Sequence, residues 1–191
     1  GKNVVLLRLE RWVLGCLLGT TLTMFTVFCL NALGWIRIDL LNMLSVQAAL
    51  LMTALGLLYW QKHSLLDAPS QSLSINPSLS KPLWIGLALL GIWTIGKLLA
   101  AGTMTIALPV YSDDTYDNWN LRAKVYWQTE QITQHDDAIE LGLRSYPPTV
   151  PLTKTWLATL LNRWDEPLVN SVHFVWFLIA LALVYLSLIH I

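Results

Sequence analysis

The chain has 191 residues, of which 55% are hydrophobic and only 13% charged, and ten are tryptophan. Soluble domains carry about 25% charged residues, so this composition, with apolar runs of roughly twenty residues, belongs to a multi-span membrane protein. The basic and acidic residues cancel to a formal net charge of zero, which removes the electrostatic case for a nucleic-acid partner.

The sequence predicts an all-α fold of polytopic transmembrane helices, taken here in chain order. Lys2, Arg8 and Arg11 precede a first span over residues 12–33. It is too long for a simple signal peptide, and no clean small-residue cleavage site follows it. Gly15 and Gly19 form a small-xxx-small pattern expected to seat a neighbouring helix. Cys16 and Cys29 share this run; thirteen helical residues hold them about 20 Å apart, beyond disulfide reach, and they read as core packing. A short turn over residues 34–39 leads to a second span, 40–60, bracketed by Trp35 and Trp60 as interfacial anchors. Residues 61–82, rich in Ser, Pro and Asn, are a linker too polar to span. The third span covers 83–108. Its Lys97 has two readings: snorkelling outward, or pairing with a carboxylate inside the bundle, since a lysine at mid-membrane costs about 2.5–3.5 kcal/mol. An acidic, aromatic loop occupies 109–167, and a fourth span runs from 168 to 191. Because the chain begins with Gly1 and ends inside an apolar run at Ile191, it is expected to be a fragment.

Lysine and arginine set the orientation. With the N-terminus cytoplasmic, the short inner segments carry Lys2, Arg8, Arg11, Lys62 and Lys81, and the short outer turn only Arg37. This obeys the positive-inside rule and puts residues 109–167 outside. Nine of the twelve acidic residues lie between Asp113 and Glu166. The loop is too short for a core of its own. Tyr116, Trp119, Ala123, Tyr126 and Trp127 fall on one helical face. They predict a helix from near Asp114 to about Gln131, lying along the membrane with Trp119, Tyr126 and Trp127 inward. Asp117, Asn118, Arg122 and Lys124 then take the other faces, with the ions in water. Residues 156–164 are expected to form another short surface helix.

Asp113 and Asp114 precede the predicted interfacial helix. They are candidate helix caps and candidate general bases for deprotonating an acceptor hydroxyl, and one residue can do both jobs. Arg122 and Lys124 are candidates for snorkelling toward lipid phosphate or for binding the phosphate of a lipid-linked substrate. His135, Asp136 and Asp137 are the one candidate for a divalent metal, but three adjacent residues converge poorly on one ion. No cofactor is expected.

The order of these pieces resembles the GT-C class of polytopic glycosyltransferases, most closely bacterial proteins of the dolichyl-phosphate-mannose mannosyltransferase-like type. The likeness is carried by Pro109, Asp114 and the Trp119-Asn-Leu-Arg-Ala-Lys124 string, then by Tyr146-Pro-x-x-x-Pro151 opening a further helix. It covers roughly residues 105–186. It implies sugar transfer from a polyprenyl-phosphate donor at the outer face of the bacterial cytoplasmic membrane. Asp114 is then the catalytic carboxylate, with Asp113 second, and Arg122, Lys124, Trp119 and Tyr146 bind substrate. The chain departs from the pattern at Asp113, where tryptophan is common, and at Arg122, where lysine is usual. Its acidic loop also follows the third span rather than the first. The expected partners are membrane lipid and a lipid-linked sugar donor. The competing readings are a transporter or flippase component for lipid-linked sugars and a non-catalytic assembly subunit. Apart from Lys97, the spans are poor in charge, which favours the enzyme.

Overall fold

A computed structural model of the chain describes residues 8–61, 80–108, 115–132 and 147–189, and among them there are helices and turns but no strand. Four helices are long and apolar enough to cross a membrane: α1 (Arg8–Ala32), α2 (Leu40–Trp60), α3 (Lys81–Ala107) and α6 (Glu166–Ile189). They fall where hydropathy places the four spans, so the protein is an all-α polytopic membrane protein. Between α3 and α6 lie a π-helix (Thr115–Leu121), which runs directly into α4 (Arg122–Thr129), and then α5 (Thr149–Leu161).

Local chemistry sets these boundaries. Asp39 caps α2: its side chain accepts from Asn42 N–H at 2.8 Å and from Asn42 Nδ2 at 2.6 Å. Pro82 sits in the first turn of α3, where a missing N–H costs nothing. Helices α4 and α5 stop at Glu130 and Asn162, both left-handed with φ of 55° and 52°. Past Asn162, Arg163 N–H turns back to the carbonyl of Ala158 at 3.1 Å, the closing bond of a Schellman-type end.

The four long helices form an open row, not a closed bundle. Helix α2 packs on α1, α1 on α6, and α6 on α3, while α2 and α3 do not meet. Helices α3 and α6 approach at Gly102, where an added Cβ would stand 2.9 Å from the Phe174 ring. The last turns of α3 therefore lie beside the first turns of α6. No described residue lies within 4 Å of a Cβ at Gly15 or Gly19, so among the described residues the glycine at a close helix approach is Gly102 and not the pair on α1. Cys16 is exposed and Cys29 half-buried, so Cys16 faces outward instead of packing in a core. Lys97 is exposed and stacks over the Trp93 ring at 5.5 Å. Of its two readings, the structure favours a lysine on the outer face, turned one helical turn back along α3.

One end of the row is capped. Helix α5 touches α1, α2, α4, α6 and the π-helix. The core joins Met24 and Val27 of α1, Met43 and Val46 of α2, Ile38, Tyr126 of α4 and Leu152 of α5. The α1–α2 turn is fastened to the segment after α4. Asn31 Nδ2 donates to the Ile36 carbonyl at 2.8 Å and more weakly to the Glu130 carbonyl at 3.4 Å. Asn31 Oδ1 accepts from Ile132 N–H at 2.9 Å, and Ile38 N–H donates to the Glu130 carbonyl at 2.8 Å. Residues 34–39 and the π–α4 segment thus share one end of the helices.

Two expectations about the cap are corrected. The short helix expected at 156–164 begins at Thr149 and ends at Leu161, and it is an interior element: Pro151, Leu152, Thr153, Lys154, Thr155 and Ala158 are buried. The interfacial helix keeps Ala123 and Tyr126 of the expected face inward, but Asn120 and Arg122 join them in place of Trp119 and Trp127. A turn closed by i→i+5 bonds holds more residues than an α-turn, so a face counted at 3.6 residues per turn drifts within the π-helix, where Asn120 is buried and Trp119 only half-buried.

Candidate functional site

The most ordered polar chemistry among the described residues lies where α5, α6 and the π-helix converge. Lys154, in the middle of α5, has 0% of its surface exposed. A buried ammonium needs compensating acceptors, and two amides supply them. Its Nζ donates to Asn120 Oδ1 of the π-helix and, at 3.0 Å, to Asn170 Oδ1 of α6. Asn120 Nδ2 then donates to Glu166 Oε1 at 3.0 Å. The lysine and the carboxylate are linked through one amide and do not touch. Burial pulls the Lys154 amine down from 10.5 to about 8, and the negative charge of Glu166 opposes that fall. The amine keeps its proton at neutral pH.

Glu166, Asn170 and His173 recur at i, i+4 and i+7 and so share one face of α6. His173 Nε2 is buried and has no hydrogen-bond partner among the described residues. The next residue of α5 adds a second tether. Thr155 Oγ1 donates to the Ala123 carbonyl of α4 at 3.0 Å and to the Pro151 carbonyl at 2.9 Å. Consecutive α5 residues therefore hold Asn120 and Ala123, three positions apart on the π–α4 segment.

The residues singled out by sequence are placed as follows. Asp113, Asp114 and Tyr146 lie outside the described residues, as do His135, Asp136 and Asp137. Trp119 is half-buried on the π-helix. Lys124 is exposed, open to an anion at the surface. Arg122, expected in water, is 9% exposed and donates through Nε (3.3 Å) and Nη2 (3.0 Å) to the Tyr126 hydroxyl. Its guanidinium thus points into the cap while Lys124 points out of it. Among the described residues, no group of three or more His, Cys, Asp or Glu stands close enough to hold a metal ion.

A groove of about 720 Å³ opens beside the Asn31 clasp, lined by Trp35, Ile36, Arg37, Asn42, Gln131 and Ile132 among others. Its Arg37–Glu130 pair is long, at 3.9 Å, and solvent-exposed, so it adds little stability.

Sequence reasoning missed the Lys154 cluster. The available signal was the Glu166–Asn170–His173 stripe on an otherwise apolar span, since polar residues on such a helix point toward protein and not lipid. Compared with known proteins, the chain matches no family model, no curated protein and no solved structure.

Proposed function

We propose that this chain is the part of a membrane glycosyltransferase that moves a sugar from a polyprenyl-phosphate donor to an acceptor hydroxyl at the outer face of a bacterial cytoplasmic membrane. The observation that carries the reading is the cap. The acid pair Asp113–Asp114 runs straight into a π-helix that a buried polar cluster fastens to the ends of the membrane helices. A carboxylate there meets a substrate whose lipid tail lies in the bilayer and whose sugar stands in water. The doubled sequence resemblance, through residues 119–124 and 146–151, supports the same reading. So does Lys97, which is exposed and rests on the Trp93 ring of its own helix instead of facing another of the described helices.

In this reaction Asp114 takes the proton of the acceptor hydroxyl. The freed oxygen attacks the anomeric carbon, a new C–O bond forms, and the bond to the donor phosphate breaks as polyprenyl phosphate leaves. The exposed Lys124 faces the phosphate and offsets its charge; Arg122, held on Tyr126, lies behind it.

The test is the full-length protein in proteoliposomes with a panel of polyprenyl-phosphate-linked hexoses and pentoses, following release of polyprenyl phosphate. The wild type turns over at least one donor, and Asp114→Asn lowers the rate by about 10²–10⁴, the usual loss of a general base. Wild-type turnover in Asp114→Asn would leave Asp114 as a cap and move the base to Asp113. The proposal fails if no donor is consumed and polyprenyl phosphate does not compete with a photo-crosslinking polyprenyl probe.

A further inference from the structure

Lys154 takes no part in the chemistry above, yet the π-helix, α5 and α6 meet at its Nζ. An apolar residue of similar volume would fill this site at lower cost, because burying a charge is unfavourable even when it is well paired. What the lysine adds is direction. It accepts only certain positions of two amide oxygens, one on the π-helix and one on α6. The π-helix itself is a costly conformation that persists where the surroundings demand it, and here its last turn aims Asn120 inward at the lysine. Thr155 holds Ala123 from the neighbouring position on α5, so the grip extends into α4 and fixes its register.

We propose that Lys154 is a positioning residue. Acting through Asn120, it seats the π-helix against the first turns of α6. Its consequence for turnover rests on the sugar-transfer reading; the seating itself does not.

The seating is tested in the full-length protein with Cys16 and Cys29 replaced by alanine and single cysteines introduced at Leu121 on the π-helix and Val172 on α6. In Lys154→Met the cysteine at 121 reacts about tenfold faster with maleimide, as expected for the loss of a hydrogen bond from a charged donor, while the cysteine at the buried position 172 keeps its rate. Asn120→Ala gives the same result, and it carries the test alone if Lys154→Met is not recovered from membranes. The two changes share the Lys154–Asn120 contact, while Lys154 alone holds Asn170 and Asn120 alone holds Glu166, so the double variant loses less than the sum of the two singles. In the transfer assay kcat falls about 10²-fold through misplacement of the acid segment, while KM for the donor stays nearly constant; a general loss of packing would instead speed labelling at both cysteines. Unchanged labelling at 121 in both variants, or effects that add, overturns the proposal. Wild-type kcat in both variants with an active parent also overturns it and leaves the sugar-transfer reading standing. Faster labelling at 121 in a protein that transfers no sugar upholds the seating and removes that reading.

Discussion

Replacing Asn31 with alanine cuts the clasp between the α1–α2 turn and the segment after α4, and the cost follows from its bonds. The side chain makes two short hydrogen bonds, to the Ile36 carbonyl at 2.8 Å and from Ile132 N–H at 2.9 Å, and a longer one to the Glu130 carbonyl at 3.4 Å. Each short bond contributes about 1 kcal/mol net. The stranded Ile132 N–H and Ile36 carbonyl are half-buried and add part of a desolvation penalty, for a total of about 2–4 kcal/mol. The Glu130 carbonyl keeps its bond from Ile38 N–H, which limits the damage to the clasp. Equilibrium unfolding in mixed micelles with increasing dodecyl sulfate measures this loss. Maleimide labelling of a cysteine at Gln131 reports the opening locally. Thr26→Val is the control, because Thr26 donates only to the Leu22 carbonyl of its own helix on an exposed face, and its effect stays within about 0.5 kcal/mol. A loss for Asn31→Ala no larger than that of the control would refute the assignment of the clasp.

Gly102→Leu overpacks the α3–α6 contact against Phe174 and destabilises by about 1–3 kcal/mol, read as lost α3–α6 cysteine cross-linking; Phe174→Ala in the same chain restores the cross-link. Lys154 gives stability a pH dependence of known sign. Its amine titrates at about 8 in the fold against 10.5 unfolded, so between those values the unfolded chain holds more protons and unfolding free energy rises with pH; Lys154→Met abolishes this rise, and a fall with pH would contradict the burial. For topology, cysteines at Trp35 and Gln131 share one end of the helices and one at Gln61 lies at the other; an impermeant reagent applied outside intact cells labels the first two and spares the third, and labelling of Gln61 from outside would reverse the orientation.

The spans were legible because hydropathy alone decides them: charge falls away over twenty residues and nothing competes with that signal. The charge pattern put residues 34–39 and the segment around α4 on one side of the membrane, and the Asn31 clasp shows that they lie together. The inward face of the cap was legible only in part: Ala123 and Tyr126 are buried as their spacing implies, and Trp119 and Trp127 are only half-buried. Trp119 joins the stripe of Ala123 and Tyr126 only if every turn holds 3.6 residues, and the π-helix breaks that count. Arg122 shows the other limit. A guanidinium is placed in water by its charge, yet the Tyr126 hydroxyl one turn along offers an acceptor that lets it lie inside. Lys154 was hidden for a related reason: its partners, Asn120 and Asn170, are distant in sequence, and no local pattern links them. The candidate acids Asp113 and Asp114 rest on sequence, with the described structure beginning at the next residue.

The open row of helices constrains how the protein is made. The α1–α2 hairpin can close as soon as both helices leave the ribosome, since their partners are adjacent in sequence. Helix α3 meets only α6 among the long helices, and about sixty residues of chain separate them, roughly 3–12 s of synthesis at 5–20 residues per second. Throughout that interval α3 lacks its one partner among the described long helices. Its one charge away from the helix start is provided for within the helix, because Lys97 rests on Trp93 and needs no late-arriving carboxylate. The order of insertion is therefore written into α3 itself, and a cross-link between cysteines at Gly102 and Phe174 in arrested nascent chains should appear only after α6 has emerged.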